Sequence, residues 1–425
     1  MNALTQTLTL PCGTVLPNRI AKSAMAEGLG DADGNPSAGH MALYERWAAG
    51  GTGLLITGNV MIDRRAQAEP SGVVVEDEGV LESLRRWATV CTQNGTHAWV
   101  QMNHPGRQVP ASMTSEPVAP SAVAMKVKGG VFRTPRALTH AEIEDIIARF
   151  ARTAALVQEA GFTGVQIHAA HGYLASQFLS PLTNLRTDAW GGDAERRRRF
   201  LVEVVRAVRA AVGPAFPVGV KLNSADFQRG GFSTEESMAV VEALEAEGID
   251  LLEVSGGTYE RSEMAKESLA SASTTDSTRN REAFFLDYAE QVRARTKVPI
   301  LLTGGLRSGG AMTAALDSGA VDLVGLARPL AVEPDLPKRM LADPTTAALP
   351  IRLATGIRDL DGLIQGTWYG AQLGRMGRGL APDPGLWRLA AVLGYLRRHL
   401  VHRWGAAGRA RVSMARTAAI AAAPA

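Results

Sequence analysis

Within seven residues, Ile167-His168-Ala169-Ala170-His171-Gly172-Tyr173 sets two imidazoles and a phenol at the end of an apolar stretch that reads as a strand. Such a cluster can hold a carbonyl oxygen by two hydrogen bonds and hand a proton to a neighbouring carbon, which is general-acid chemistry. The His-x-x-His spacing also suits two packed structural histidines, or a pair of metal ligands. A metal site needs further donors, and no third His or carboxylate stands downstream at ligand spacing. The chain continues instead through Leu179-Ser180-Pro181-Leu182-Thr183-Asn184 and Arg186-Thr187-Asp188, then Gly191-Gly192, Glu195, Arg197, Arg199 and Phe200.

A cluster of this kind needs a scaffold that gathers several strand ends. Short runs rich in Val, Ile and Leu alternate here with longer amphipathic stretches, the pattern of parallel strands crossed by helices. Strands are expected over 19–25, 53–58, 98–102, 163–168, 217–222, 250–254, 298–303 and 321–326. Helices are expected over 42–49, 79–93, 141–160, 194–212, 234–247, 281–296, 309–318 and 336–342. Thr139 with Glu142, and Ser233 with Glu236, have capping-box spacing. The alternation predicts an α/β fold, a (β/α)8 TIM barrel over residues 1–345, followed over 346–425 by a basic, partly helical C-terminal extension. An open doubly wound sheet would need a Gly-rich phosphate turn after its first strand, where Ser23-Ala24-Met25-Ala26-Glu27 stands instead. A barrel places catalytic residues at the carboxyl ends of its strands, where most residues of interest fall. Segments 104–138 and 256–280 read as long loops, the first carrying a small hairpin.

The chain of 425 residues suits one barrel plus a tail; such barrels run to about 250 residues and beyond. Cys12 and Cys91 are the only cysteines, too few for a disulfide framework or an iron–sulfur cluster. No stretch approaches the roughly 20 apolar residues of a membrane span, and the N-terminus lacks the basic-then-apolar pattern of a secretion signal, so a cytoplasmic setting is expected. Net charge is +3, yet from Arg375 onward nine Arg stand against one Asp, so the tail is basic and the rest of the chain acidic. In that tail Leu389, Val392, Leu393, Leu396, Leu400 and Trp404 interleave with Arg388, Arg397, Arg398 and Arg403, the pattern of a basic amphipathic helix. It suits docking on its own barrel, on a second copy in a homo-oligomer, or weakly on a membrane surface. No nucleic-acid partner is expected.

The block from His168 to Phe200, with Leu16-Pro17-Asn18-Arg19-Ile20 before it and Gly325-Leu326-Ala327-Arg328-Pro329 after it, resembles the Old Yellow Enzyme family of FMN-dependent NAD(P)H:flavin oxidoreductases. The likeness covers all but the residues after about 345. It implies noncovalent FMN, NADH or NADPH as reductant, and reduction of a small-molecule alkene activated by a carbonyl or nitro group. His168 and His171 then hold the substrate oxygen and Tyr173 protonates Cα, with His168 also near the flavin. Gln101 supplies the amide, and Lys221 the cation, that a flavin pyrimidine edge asks for. A lysine in so apolar a strand needs an anionic partner. The resemblance lays Ser23, Ala24, Met25 and Ala26 along the ring, brings the Gly58-Asn59 backbone to its C4 carbonyl, and assigns the phosphate to Gly304, Gly305, Ala327 and Arg328. Ala26 stands where many relatives have Thr or Cys, so the redox potential does not carry over. Tyr259, Phe284 and Phe285 suit the entrance, or core packing. Two other functions fit this scaffold: a dehydrogenase or aromatising enzyme, and a flavin-holding barrel without turnover, against which the intact His168, His171 and Tyr173 speak.

Overall fold

The computed structural model of the chain describes residues 2–127, 130–226, 228–255, 286–353 and 358–397. Eight parallel strands form one ring: β1 Ile20–Lys22, β2 Leu54–Met61, β3 His97–Asn103, β4 Gly164–Ala169, β5 Val218–Asn223, β6 Leu251–Ser255, β7 Ile300–Thr303 and β8 Leu323–Leu326. The ring closes because β8 pairs with β1, Val324 opposite Ile20, and β1 pairs with β2, Ala21 opposite Leu54. All eight expected strands are present, each within a few residues of its predicted ends.

Between the strands, and after the last of them, lie the helices α1 Ala38–Ala49, α2 Leu81–Cys91, α3 His140–Glu159, α4 Leu174–Leu179, α5 Ala194–Val212, α6 Thr234–Ala246, α7 286–293, α8 Gly309–Asp317 and α9 Leu336–Ala342. Thr139 and Ser233 close the capping boxes read from the sequence, each side chain accepting from the third backbone N–H while Glu142 or Glu236 reaches back. Helix α4, a buried turn and a half directly after Tyr173, has no counterpart among the expected helices.

The barrel interior is filled rather than hollow. Ala21, Leu54, Ile56, Trp99, Leu251, Leu301 and Leu323 form an inner cluster with Leu8 and Leu16 of a short antiparallel pair and with Leu10 just after its first strand. Trp99 takes the centre because its neighbours on β4 and β5 are glycines: a Cβ on Gly164 or Gly219 would lie 2.5 or 2.7 Å from the indole. Segment 104–138 does contain a two-stranded pairing, but Val118–Ala119 runs parallel to Arg136–Ala137, so it is not the hairpin expected. Segment 256–280, Tyr259, Phe284 and Phe285 lie outside the described residues.

The extension docks on the barrel by its first helix, α10 Arg358–Met376. Leu373 and Met376 join the main hydrophobic core, while Ile364 and Trp368 make a smaller one with Val332, Leu353 and Ala391. Arg46 of α1 donates to the carbonyls of Gly379 and Leu380 just beyond α10, at 2.6 and 2.9 Å. The boundary at residue 345 therefore does not coincide with an edge of the core. The last helix among the described residues, α11 at 388–397, turns Ala391 inward and leaves Leu389, Leu393 and Leu396 at 52, 62 and 48% exposure. No helix among the described residues is long and apolar enough to cross a membrane.

Candidate active site

The histidine-tyrosine cluster sits where β4 turns into α4. His171 adopts a left-handed backbone, φ 59°, followed by Gly172 at φ 76°. A side chain in that region costs roughly 1–2 kcal/mol and persists only when its surroundings impose it. Here Asn223 Oδ1 accepts from the His171 N–H at 3.2 Å, and Gln108 Nε2 donates to its carbonyl at 2.9 Å. The turn brings the His171 ring edge-on to His168 at 5.1 Å between centroids, and Tyr173 lies 4.9 Å from His168 on another side.

Burial first, then the neighbouring His171, then the Lys221 charge holds the His168 imidazole well below its usual pKa. Burial and the same lysine push His171 down to about 3. Both rings are neutral at pH 7, so each has one N–H to give. His168 Nδ1 accepts from the Ala170 N–H at 3.3 Å, which leaves its proton on Nε2. His171 Nε2 lies 2.7 Å from Ser255 Oγ; with the serine donating, the ring keeps its own proton on Nδ1 and is tied to β6 as well. The Tyr173 hydroxyl accepts from Asn59 Nδ2 at 3.3 Å; the Asn59 side chain thus points to the phenol, while its backbone lies on β2.

Beside this cluster β3 to β6 carry a buried polar row. Gln101 Nε2 donates to Gln166 Oε1 at 2.7 Å, Gln166 Nε2 to Glu253 Oε2 at 2.8 Å, and Lys221 Nζ to Glu253 Oε1 at 2.8 Å. The strand register dictates this, since Gln101 stands opposite Gln166, and Lys221 is flanked by His168 and Glu253. Lys221 therefore already has its anionic partner in the protein. Its burial alone no longer argues for a bound anion.

The residues expected at the phosphate converge with β1 at the ends of β7 and β8. Ser23 Oγ and Thr303 Oγ1 bond at 2.7 Å across the backbone of Gly325, where a Cβ would meet both oxygens at 2.3 Å. Gly304 and Gly305 follow with φ 127° and 74°, conformations open to glycine. Ala327 and half-buried Arg328 come directly after β8. From Ser23, buried, the chain climbs through half-buried Ala24 and Met25 to exposed Ala26.

Several functional neighbours carry no signal of their own in the sequence. Gln166 and Glu253 complete the polar row. Glu27 accepts from the Gly58 N–H at 2.9 Å and from the Tyr44 hydroxyl, fixing the peptide that precedes Asn59. Gln365 of α10 accepts from Arg328 Nη1 at 2.9 Å. Asn103, two residues beyond Gln101 on β3, is buried with neither amide atom paired among the described residues. Buried amides normally find partners, and the two open hydrogen-bonding atoms of Asn103 suit a polar ligand. Glycine-lined backbone with a guanidinium on one side, and an amide–ammonium row with Asn103 on the other, fit the phosphate and the polar ring edge of FMN. No group of three or more metal-ligating side chains occurs among the described residues.

Comparison with known proteins bears on family and fold. The model of the NADH:flavin oxidoreductase / NADH oxidase family matches residues 8–344. An NADH-dependent flavin oxidoreductase from Hypocrea jecorina is 40% identical over 353 residues, which is 79% of this chain and 88% of that protein. An NADH oxidase from Thermoanaerobacter brockii is 32% identical, over 76% of this chain and 48% of its own length. The solved structure of an old yellow enzyme homologue from Zymomonas mobilis superposes with a TM-score of 0.67 at 25% identity, covering 84% of this chain and 99% of that one. With residues 8–344 matched by the family model and 84% of the chain matched in fold by an old yellow enzyme homologue, the chain belongs to the NADH:flavin oxidoreductase / NADH oxidase family, the FMN-dependent oxidoreductases that include the old yellow enzymes.

Proposed function

We propose that the protein uses NADH or NADPH to reduce C=C bonds activated by a carbonyl or nitro group. The observation that carries this reading is the convergence of His168, His171 and Tyr173 at the end of β4, beside the polar row. Gln101 and Lys221 would hold the polar edge of FMN, the backbone of Ser23 to Ala26 and of Asn59 would meet its ring, and Gly304, Gly305, Ala327 and Arg328 would take its phosphate. FMN supplies the hydride chemistry when bound.

The protein's own groups do the rest. His168 donates through Nε2, and His171 from a ring anchored on Ser255, to the substrate oxygen, which gains negative charge as the β-carbon is reduced. Being neutral, the imidazoles give hydrogen bonds without surrendering protons. Tyr173, edge-on to His168, delivers its phenolic proton to Cα. The purified protein is expected to be yellow with noncovalent FMN, to bleach anaerobically with NADH or NADPH, and to recover its colour with 2-cyclohexenone as cyclohexanone forms. Colourless protein that cannot be reconstituted, or bleached protein that the enone leaves bleached, would overturn the reading.

The tail supports a partner as well. Leu389, Leu393 and Leu396 share one exposed face of α11, Trp387 beside them is 64% exposed, and Arg388 and Arg397 flank them in a basic segment. Apolar and basic groups so combined fit an anionic lipid surface. Full-length protein is expected to co-sediment with phosphatidylglycerol-containing vesicles but not with pure phosphatidylcholine, and Leu389→Ser with Leu393→Ser to abolish it. Equal behaviour with both vesicles, or concentration-dependent dimerisation that the same substitutions remove, would refute the lipid assignment.

A further inference from the structure

We infer that Glu253 and Gln166 are positioning residues that set the redox poise and cofactor grip of the flavin site, Glu253 acting by charge and Gln166 by hydrogen-bond direction. The inference rests on the FMN reading above. Gln101, Gln166, Lys221 and Glu253 are 1, 0, 5 and 0% exposed, so their interactions are not diluted by water. The carboxylate can only accept. It takes Lys221 on Oε1 and Gln166 on Oε2, both at 2.8 Å, and so forces the direction of everything behind it. Gln166, having spent an N–H on Glu253, must offer its carbonyl to Gln101, which spends an N–H in turn. The carbonyl and remaining N–H of Gln101 are thereby oriented before any cofactor arrives. An amide that was free to flip would present either end.

The second consequence is electrostatic. Reduction adds negative charge to a flavin, and a lone buried ammonium beside it would favour the reduced form. Glu253 offsets that charge, holding the potential lower than Lys221 and Gln101 alone would set. Glu253 lies on β6 inside Leu251-Leu252-Glu253-Val254, touching the flavin-side groups only through its two neighbours.

Glu253→Gln keeps the shape while removing the charge. Its new amide N–H meets a donor on either side, Lys221 or Gln166, so the row must also reverse. The holoenzyme carrying it is expected to show a clear positive shift in flavin midpoint potential, measured by anaerobic reduction against reference dyes, together with weaker FMN binding. Gln166→Met leaves the Lys221–Glu253 pair intact and is expected to weaken FMN binding with the potential little changed. An unshifted or lowered potential in FMN-loaded Glu253→Gln would refute the charge role, and parental FMN affinity in Gln166→Met would refute the positioning role. The second variant stands if the first fails to fold. Parent protein that binds no FMN would instead refute the cofactor reading itself.

Discussion

Tyr173→Phe is expected to leave reduction of the bound flavin by NADH near the parental rate while slowing reoxidation by a cyclic enone by about 10²-fold or more, the usual scale of general-acid catalysis. Phenylalanine keeps the ring that packs edge-on against His168 at 4.9 Å and loses only the hydroxyl that Asn59 contacts. The Asn59 amide loses one partner at 3.3 Å, a long bond whose removal affects the cluster little. His168→Ala and His171→Ala should behave differently, weakening binding of phenol-type ligands as well as slowing reoxidation, since an oxygen loses a donor in both cases. Stopped-flow measurement of the two half-reactions separates the roles. If Tyr173→Phe reoxidised with the enone as fast as the parent, the proton would come from solvent or from another residue, and the phenol would have no chemical part.

The contrast between these residues and the polar row explains what a sequence can disclose. His168, His171 and Tyr173 are contiguous, and the turn that presents them is local, so their spacing is already their geometry. Gly304-Gly305 and Ala327-Arg328 are legible for the same reason: each follows directly on a strand end. Glu253 and Gln166 are different. Each is one polar residue in an apolar strand, and its meaning depends on which residue stands opposite on the neighbouring strand, a register that exists only once the ring has closed. Lys221 marks the limit of local inference: its need for an anion is readable from its apolar strand, but the anion proves to be Glu253, 32 positions away. Glu27 likewise acts through a contact with Gly58 that no spacing announces. Helix α10 escapes a local reading for a reason of propensity. Gly362, Gly366, Gly370 and Gly374 recur along it, and each glycine costs an isolated helix about 1 kcal/mol relative to alanine. Packing of Trp368, Leu373 and Met376 stabilises what propensity alone would not.

That helix carries the other large expected effect. Ending the chain after residue 380 should leave FMN bound, whereas ending it after 345 should abolish FMN binding and most of the folded protein. The shorter deletion keeps α10, so it retains Gln365 on Arg328 and the Leu373 and Met376 side chains in the core. The longer one strips out Ile364, Trp368, Leu373 and Met376, exposed by only 3, 1, 2 and 0%. Each such burial contributes about 1.5–3 kcal/mol. Together they reach the same order as the roughly 5–15 kcal/mol that separates a folded domain from its unfolded chain. Gln365→Ala isolates the smaller, local contribution: with the packing intact, losing the acceptor that orients Arg328 should weaken FMN binding by about tenfold, in the range of a hydrogen bond to a charged group. Flavin absorbance per chain after gel filtration and thermal unfolding with and without added FMN read both effects. A folded, yellow 1–345 fragment would mean that the barrel is complete without α10, and that the Gln365–Arg328 contact is incidental to cofactor binding.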